Sequence, residues 1–328
     1  KIVSSYRDLP KLYNQWCSVV RWEKTTRPFL RGSEFLWQEG HTIHESEVEA
    51  RNHALTMLKV YEDMGKDLLA IPFLTGNKTE KEKFAGAEQT FTIEALMPDG
   101  KALQSGTTHY FGQGFAKVFN IQFQDKNNTL QYVHQTSFGV STRLIGAVIM
   151  AHGDDNGLNL PPRVAPTQVI IVPIQQNQPG VLNKAYELEK RLKAKGIRVK
   201  VDSSDKSPGW KFAEHEMKGV PLRLEIGPRD LKAGLVSGAL RHNHEKFNFD
   251  DAELETKVLT LLDEIHDSMY QKALTFLLDH TFEVRTMEEL EDALNNKLGY
   301  AKIMWSGEQE HLDLIKEKFQ ATARALPF

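Results

Sequence analysis

The 328-residue sequence holds a single cysteine, Cys17. That excludes an intrachain disulfide and any cysteine-cluster zinc site within these residues, and it points to a reducing cytoplasm. Cys17 sits in an apolar strand, so it reads as a buried, inert thiol rather than a nucleophile. Long apolar runs are missing too, and none would span a bilayer. There is no signal peptide, although the chain opens on Lys1 rather than Met and a segment ahead of it is expected. There is no internal repeat or low-complexity tract, and no Gly-x-Gly-x-x-Gly to support a dinucleotide site. A strong charge of one sign is likewise absent: the net charge is −3.

What is present is ordinary in bulk, with 40% apolar and 26% charged residues. The length suggests two or three domains. Charge is unevenly spread. Residues 184–246 carry a net +6, residues 247–328 a net −9, and residues 1–183 balance. A basic middle segment is compatible with a polyanion contact, and equally with a solvated lysine-rich helix face.

The most informative stretch is VVRWEKTTRPFLRGSEFLWQEGH, Val19 to His41. It reads as two strands joined by a basic loop. Arg21 and Glu23 are two apart on the first strand and share a face. Phe35, Trp37, Glu39 and His41 share a face of the second. The loop adds Lys24, Arg27 and Arg31. Arginines suit phosphate, a ring suits a planar base, and a carboxylate suits a small amine.

Arg-x-Glu, a basic loop and an aromatic strand together resemble motif 2 of the class II aminoacyl-tRNA synthetases. The fuller wording, RWE…PFLR…EFLWQEGH, is similar to the prolyl-tRNA synthetases of the eukaryote/archaeal-like type, and the resemblance covers nearly the whole chain. It implies an α/β fold class: an α+β catalytic domain with an antiparallel sheet over residues 1–165, an anticodon-binding α/β domain over 166–248, and a small α/β C-terminal domain over 249–328. Motif 1 and a Thr-x-Glu segment would lie before Lys1. A last cysteine-containing module would lie after Phe328. Ala325 stands where many relatives have Cys, so a zinc site is not carried over.

The pattern of residues supports this organisation. Glu45 to Lys66 reads as an amphipathic helix with Ala50, Ala54, Met57, Tyr61 and Met64 on one stripe. LLAIPFL and QTFTIEALM read as strands around the charged turn TGNKTEKEK. SFGVSTRLIGAVIMAHGDD reads as a strand entering an apolar helix, with Pro161, Pro162 and Pro166 marking a boundary. Next, QVIIVPI suits a strand buried on both faces. A helix to Lys195, then IRVKVD and PLRLEIGPRDL, complete a β-α-β order with Leu222, Leu224 and Ile226 inward. A long helix from about Leu254, a Thr286–Glu289 capping box, a strand near YAKIMW and a final helix close the chain.

The resemblance also implies roles. Arg21 would hold the ATP α-phosphate and the amino-acid carboxylate. Glu23 would lie beside the nucleotide, Phe35 would stack on adenine, and Arg31 would meet the outer phosphates. Thr142 and Arg143, after Gly139 at a strand-to-helix junction, resemble motif 3, with Arg143 over the adenine and on the γ-phosphate. Trp37, Glu39 and His41 match the proline pocket. Gln104, Thr107 and His109, in QSGTTHYFGQGF, would close over proline and ATP. SPGWKF and LRLEIGPRDL resemble anticodon-domain wording, with Lys211, Glu225 and Arg229 placed outward or on loops to read tRNA. Asp154 and Asp155 read as a turn or cap. The expected substrates are proline, ATP with Mg²⁺, and tRNA(Pro). A cytoplasmic homodimer is expected, with no membrane or DNA partner. The competing readings are a non-catalytic tRNA- or partner-binding relative, and an adenylating enzyme with another acceptor or amino acid.

Overall fold

The computed structural model describes residues 2–328, which fall into two compact units. The first takes in the chain up to Lys66, then Pro72–Ala147 and Phe276–Phe328; the second takes in Asp67–Ile71 and Val148–Thr275.

The first unit is built on β1 (Lys11–Val20), β2 (Glu34–His44), α1 (Glu47–Met64), β3 (Leu74–Asn77), β4 (Gln89–Leu96) and β5 (Ala102–Gly112). There follow α2 (Gly114–Val118), the small hairpin β6 (Gln122–Gln124) and β7 (Leu130–Tyr132), then β8 (His134–Ser141) and the start of α3 (Arg143–His152), which from Val148 on is counted with the second unit. Six strands form one antiparallel sheet in the order β1-β2-β8-β5-β4-β3. Ser46 caps α1 by accepting the Glu49 N–H. The buried stripe of α1 is Ala50, Ala54, Leu58 and Tyr61, and it covers one face of the sheet. Small alanines let the helix approach closely, and Tyr61 donates to Gln38 Oε1 at 2.6 Å. The opposite face is left open.

Three expectations need correction here. First, β1 ends at Val20, so Arg21 and Glu23 lie in the loop after it. Only one rung continues past the strand end, the Arg21 N–H to the Ser33 carbonyl at 2.8 Å. Second, LLAIPFL is not a strand. The helix runs on as a wide turn over Gly65–Leu69, Ala70 takes a positive φ of 54°, and Pro72 has no N–H to give to a ladder. Pairing resumes at Leu74. Third, Cys17 is half-buried rather than enclosed, because β1 is the outer strand of the sheet.

The second unit contains β9 (Val169–Pro173), α4 (Val181–Ala194), β10 (Val199–Val201), α5 (Pro208–Met217), β11 (Leu222–Ile226), α6 (Pro228–Ala233), β12 (Leu235–Leu240), β13 (Lys246–Asp250) and α7 (Leu254–Asp279) up to Thr275. Its mixed sheet runs β10-β9-β11-β12-β13, parallel on the β10, β9 and β11 side and antiparallel beyond. All five residues of β9 are buried, as its unbroken apolar run implies. Leu222, Leu224 and Ile226 point inward as expected. The core joins them to Leu188 and Leu192 of α4 and to Val258, Leu262, Ile265 and Met269 of α7. The first turns of the helix expected to open the C-terminal module thus belong to this core.

The first unit closes with β14 (Thr281–Val284), α8 (Met287–Asp292), β15 (Tyr300–Ile303) and α9 (Gln309–Phe319). Thr286 caps α8 through the Glu289 N–H, while the Glu289 carboxylate accepts from Arg285 N rather than from the cap residue itself.

Candidate active site

The open face of the antiparallel sheet holds a cavity of about 1180 Å³. Strand pairing assembles it. Glu39 on β2 is opposite Gly139 on β8, Gly139 is opposite Thr107 on β5, and Thr107 is opposite Thr92 on β4. One step along, His41, Ser137, His109 and Thr90 form a second row. Residues in one row point to one face. Gly139 has no side chain, so the floor between Glu39 and Thr107 stays open.

The alternation expected on β2 holds: Phe35, Trp37, Glu39 and His41 all line the cavity. Their rings and charges are ordered. Phe35 and Trp37 meet edge to face at 5.9 Å, and the Arg21 guanidinium lies 5.4 Å from the Phe35 centroid and 5.6 Å from that of Trp37. Trp37 Nε1 donates to Cys17 Sγ at 3.0 Å, which locks the indole. Glu39 accepts from Gln15 Nε2 at 2.8 Å and lies 3.1 Å from His41 Nε2.

On β5 the spacing alone is misleading. Gln104 and Thr107 are three apart and should face opposite sides. A bulge opposite Ile93 and Glu94 shifts the register, and both line the cavity together with His109. His109 is held from both ring nitrogens, at 3.0 Å from Thr90 Oγ1 and 3.0 Å from Thr107 Oγ1. Burial pushes its pKa down to about 4, so the ring is neutral at pH 7.

Arg143 opens α3 and reaches back across the sheet end. Its Nε and Nη2 donate to the Leu30 carbonyl at 3.2 and 3.1 Å, and its Nη1 donates to the Gln104 carbonyl at 3.1 Å. One side chain thereby pins both the loop after β1 and the β5 bulge. Burial, then the positive charges of Arg31 and Arg21, push its guanidinium below the ordinary value. Like charges gathered in a half-buried place favour an anionic ligand there. Arg31 is exposed and lies 3.5 Å from Glu23. Glu23, Arg31 and Thr142 are not among the cavity-lining residues; the Thr142 N–H donates to the Leu36 carbonyl at the rim.

The anticodon-domain candidates divide. Lys211 was expected outward or on a loop. It is instead buried inside α5, where Nζ donates to the Asp202 carbonyl at 2.8 Å, because Ser207 and Pro208 start the helix ahead of it. Glu225 is half-buried and paired with Arg223 at 3.0 Å. Arg229 is exposed on α6. Asp154 turns the chain after α3 and takes a bidentate bond from Arg241 at 2.6 and 2.8 Å.

Sequence reasoning missed several wall residues: Thr90, Lys78, Glu82, Phe84, Phe111 and Phe115. Thr90 was recoverable, since it alternates with Thr92 and Glu94 on a strand already identified. Lys78 and Glu82 fall in the stretch read only as a charged turn, and Phe84, just after it, carried no signal of its own.

Comparison with known proteins gives matches along the chain. The model of the tRNA synthetase class II core domain (G, H, P, S and T) matches residues 1–152, and that of the anticodon binding domain matches residues 168–261. The chain is 58% identical over 328 residues to the proline–tRNA ligase of Clostridium botulinum (strain Loch Maree / Type A3), covering 100% of this chain and 68% of that protein. It is 59% identical over 327 residues to the proline–tRNA ligase of Lachnoclostridium phytofermentans, with the same shares covered. For the proline–tRNA ligase of Clostridium novyi the identity is 58% over 328 residues, again 100% and 68%.

Proposed function

The chain belongs to the proline–tRNA ligase family of class II synthetases, and we propose that the sheet-face cavity is where it activates proline with ATP and passes it to tRNA. The observation that carries this reading is the division of one cavity into two chemical ends. Arg21 and Arg143 crowd positive charge at one end, while Trp37, Glu39, His41 and His109 wall the other.

At the first end ATP lies with adenine against Phe35, and its phosphates meet Arg21, Arg143 and Arg31. Glu23, Gln104, Thr107 and Thr142 complete the nucleotide contacts. At the other end the proline ring packs on Trp37 and its secondary ammonium faces Glu39, with His41 and the neutral His109 closing the wall. The proline carboxylate attacks the α-phosphorus in line. A bond forms from carboxylate oxygen to phosphorus, the bond to the bridging oxygen breaks, and pyrophosphate leaves. Arg21 neutralises charge that builds on the α-phosphate. The terminal ribose hydroxyl of tRNA then attacks the carbonyl of the mixed anhydride and AMP leaves. Catalysis is positioning plus charge stabilisation, with no covalent enzyme intermediate.

Among the described residues no three acidic, histidine or cysteine side chains converge on a metal position. In this proposal Mg²⁺ enters with the MgATP substrate, held chiefly by phosphate oxygens. Residues 168–261 supply the tRNA contact, with Glu225 and Arg229 as its candidate readers. A homodimer is part of the reading: β1 is an outer strand with Leu12, Trp16 and Val20 exposed on one face, a surface that a second copy would cover. No helix among the described residues is long and apolar enough to cross a membrane; a cytoplasmic location is part of the proposed reading, supported by the need for ATP and tRNA in one compartment.

The test is ATP–pyrophosphate exchange on the intact protein with proline, and with alanine and cysteine as controls. Exchange should depend on proline. Arg21→Ala should lower it by about 10²–10³, as removal of one preorganised charge-stabilising donor does. An unchanged rate in Arg21→Ala would defeat the mechanism. Absence of exchange in a folded protein that still binds tRNA would favour a binding-only relative, a protein that has no use for arginines gathered beside an amino-acid pocket.

A further inference from the structure

One carboxylate in the first unit serves two cations far apart in sequence. Glu94, fully buried on β4, accepts from Lys78 Nζ at 2.6 Å through one oxygen. Its other oxygen accepts from Arg324 Nη2 at 2.7 Å and Nε at 3.3 Å. Thr92 Oγ1 donates to the first oxygen at 2.8 Å, and Lys78 Nζ also donates to the Arg324 carbonyl at 2.9 Å. Buried ion groups contribute little net stability, since desolvation offsets attraction. Their value here is geometric.

Arg324 belongs to the segment after α9, and that segment is docked. Asn77 at the end of β3 exchanges both backbone bonds with Leu326, each 2.8 Å. Gly76 makes the approach feasible: a Cβ there would lie 2.4 Å from the Leu326 carbonyl oxygen. The ring of Phe328 sits 6.0 Å from that of Phe91.

Lys78 leads directly to the cavity. It lines the wall itself, and its N–H donates to the Thr90 carbonyl at 2.8 Å. The segment it starts returns at Phe84, whose N–H donates to Thr90 Oγ1 at 3.0 Å and whose ring lies 4.8 Å from that of His109. Thr90 Oγ1 is also the partner of His109 Nδ1. The ion trio and the His109 wall are therefore two anchors of one segment, residues 78–84.

We propose that Arg324 is a positioning residue for the amino-acid end of the cavity: through Glu94 and Lys78, the docked segment 322–328 sets where Phe84 rests on His109. This rests on the reading of that end as the proline subsite. Arg324 touches no substrate. Its loss should loosen one wall of one subsite and spare the arginine end.

The experiment is proline-dependent exchange by the intact enzyme, with KM for proline and for ATP measured separately in wild type, Arg324→Met, Arg324→Lys and Gly76→Ala. Arg324→Met should raise the proline KM about tenfold and change the ATP KM less than about twofold. Arg324→Lys keeps the charge without the fork and should fall between. Gly76→Ala displaces the segment without removing a charge and should reproduce the proline-selective defect. Calorimetric binding of a sulfamoyl analogue of prolyl-adenylate should weaken in parallel. Equal proline KM in wild type and Arg324→Met, or equal rises in both KM values, would overturn the inference while leaving the function intact. A wild type silent in exchange and blind to the analogue would remove the functional reading, and this inference with it.

Discussion

Lowering the pH from 7 to 5 should destabilise the first unit through His109. The residue is 9% exposed and both ring nitrogens are engaged by threonine hydroxyls. No carboxylate compensates for its burial, which pushes its pKa from 6.5 down to about 4. In the unfolded chain the imidazole takes up a proton near 6.5; in the folded chain it resists until about 4. The folded state thus binds fewer protons in between, and stability is full above 6.5 and lost as the pH falls toward 4. The whole difference is worth about 3 kcal/mol, at about 1.4 kcal/mol per tenfold change. At pH 5 about 2 kcal/mol of it has been lost.

Other histidines of this unit add to the acid loss, since burial also lowers the pKa of His44, His53 and His134. Comparison with His109→Gln isolates the effect of one ring. Glutamine keeps a donor and an acceptor but cannot be protonated in this range. Urea unfolding at pH 7 and pH 5 should show a smaller pH-dependent loss in the variant, by about 2 kcal/mol. Long-range proton–nitrogen NMR should find the His109 ring neutral throughout. A His109 resonance that titrates near 6.5, or equal acid losses in the two proteins, would refute the reasoning.

Two further outcomes concern the second unit. Asp154→Asn leaves the buried Arg241 guanidinium without its bidentate carboxylate, and it should cost about 1–2 kcal/mol in urea unfolding, the low end because Asp154 is partly exposed. The Arg241 bonds hold the Asp154 pKa down to about 2, so that contribution is present above the ordinary carboxylate value of 3.8 and lost as the pH falls toward 2. Leu188→Ala empties a fully buried position between α4 and the mixed sheet and should cost about 2–5 kcal/mol, read as a lowered melting temperature.

Strand alternation carried most of what was legible in advance. Phe35, Trp37, Glu39 and His41 face one way because a strand repeats every two residues, and buried or open faces enforce that register. The continuous apolar run of β9 and the inward leucines of β11 were legible for the same reason. What escaped were places where local chemistry interrupts a period. A strand end at Val20 frees Arg21 and Glu23 to sit in a loop. A positive φ at Ala70 followed by Pro72 turns an apolar run into a bend. A bulge in β5 reverses the sense of Gln104. Lys211 was assigned outward for its charge, yet its long stem buries and its head finds a carbonyl. The Glu94 trio could not be read at all, because its members are near neighbours only after the chain has folded across some 230 positions.

The same distinction explains why the site survives as a unit. Arg143 holds the Leu30 and Gln104 carbonyls, so the loop after β1 and the bulge of β5 move only if α3 moves. Trp37 is held by Cys17, Glu39 by Gln15, and His109 by two threonines. Each of these four side chains is thus fixed by a neighbour on an adjacent strand or by a backbone carbonyl, and the sheet's pairing sets the spacing between the strands that carry them. A reaction that depends on placing a carboxylate against a phosphorus gains from such prior ordering, because the cost of alignment is met during folding rather than at each turnover. The positive end is the exception. Arg21 and Arg31 remain exposed, and burial and their charges strain the ionised form of Arg143. An anion arriving there relieves repulsion already present, so that end is built to be completed by its ligand, whereas the aromatic end is complete without one.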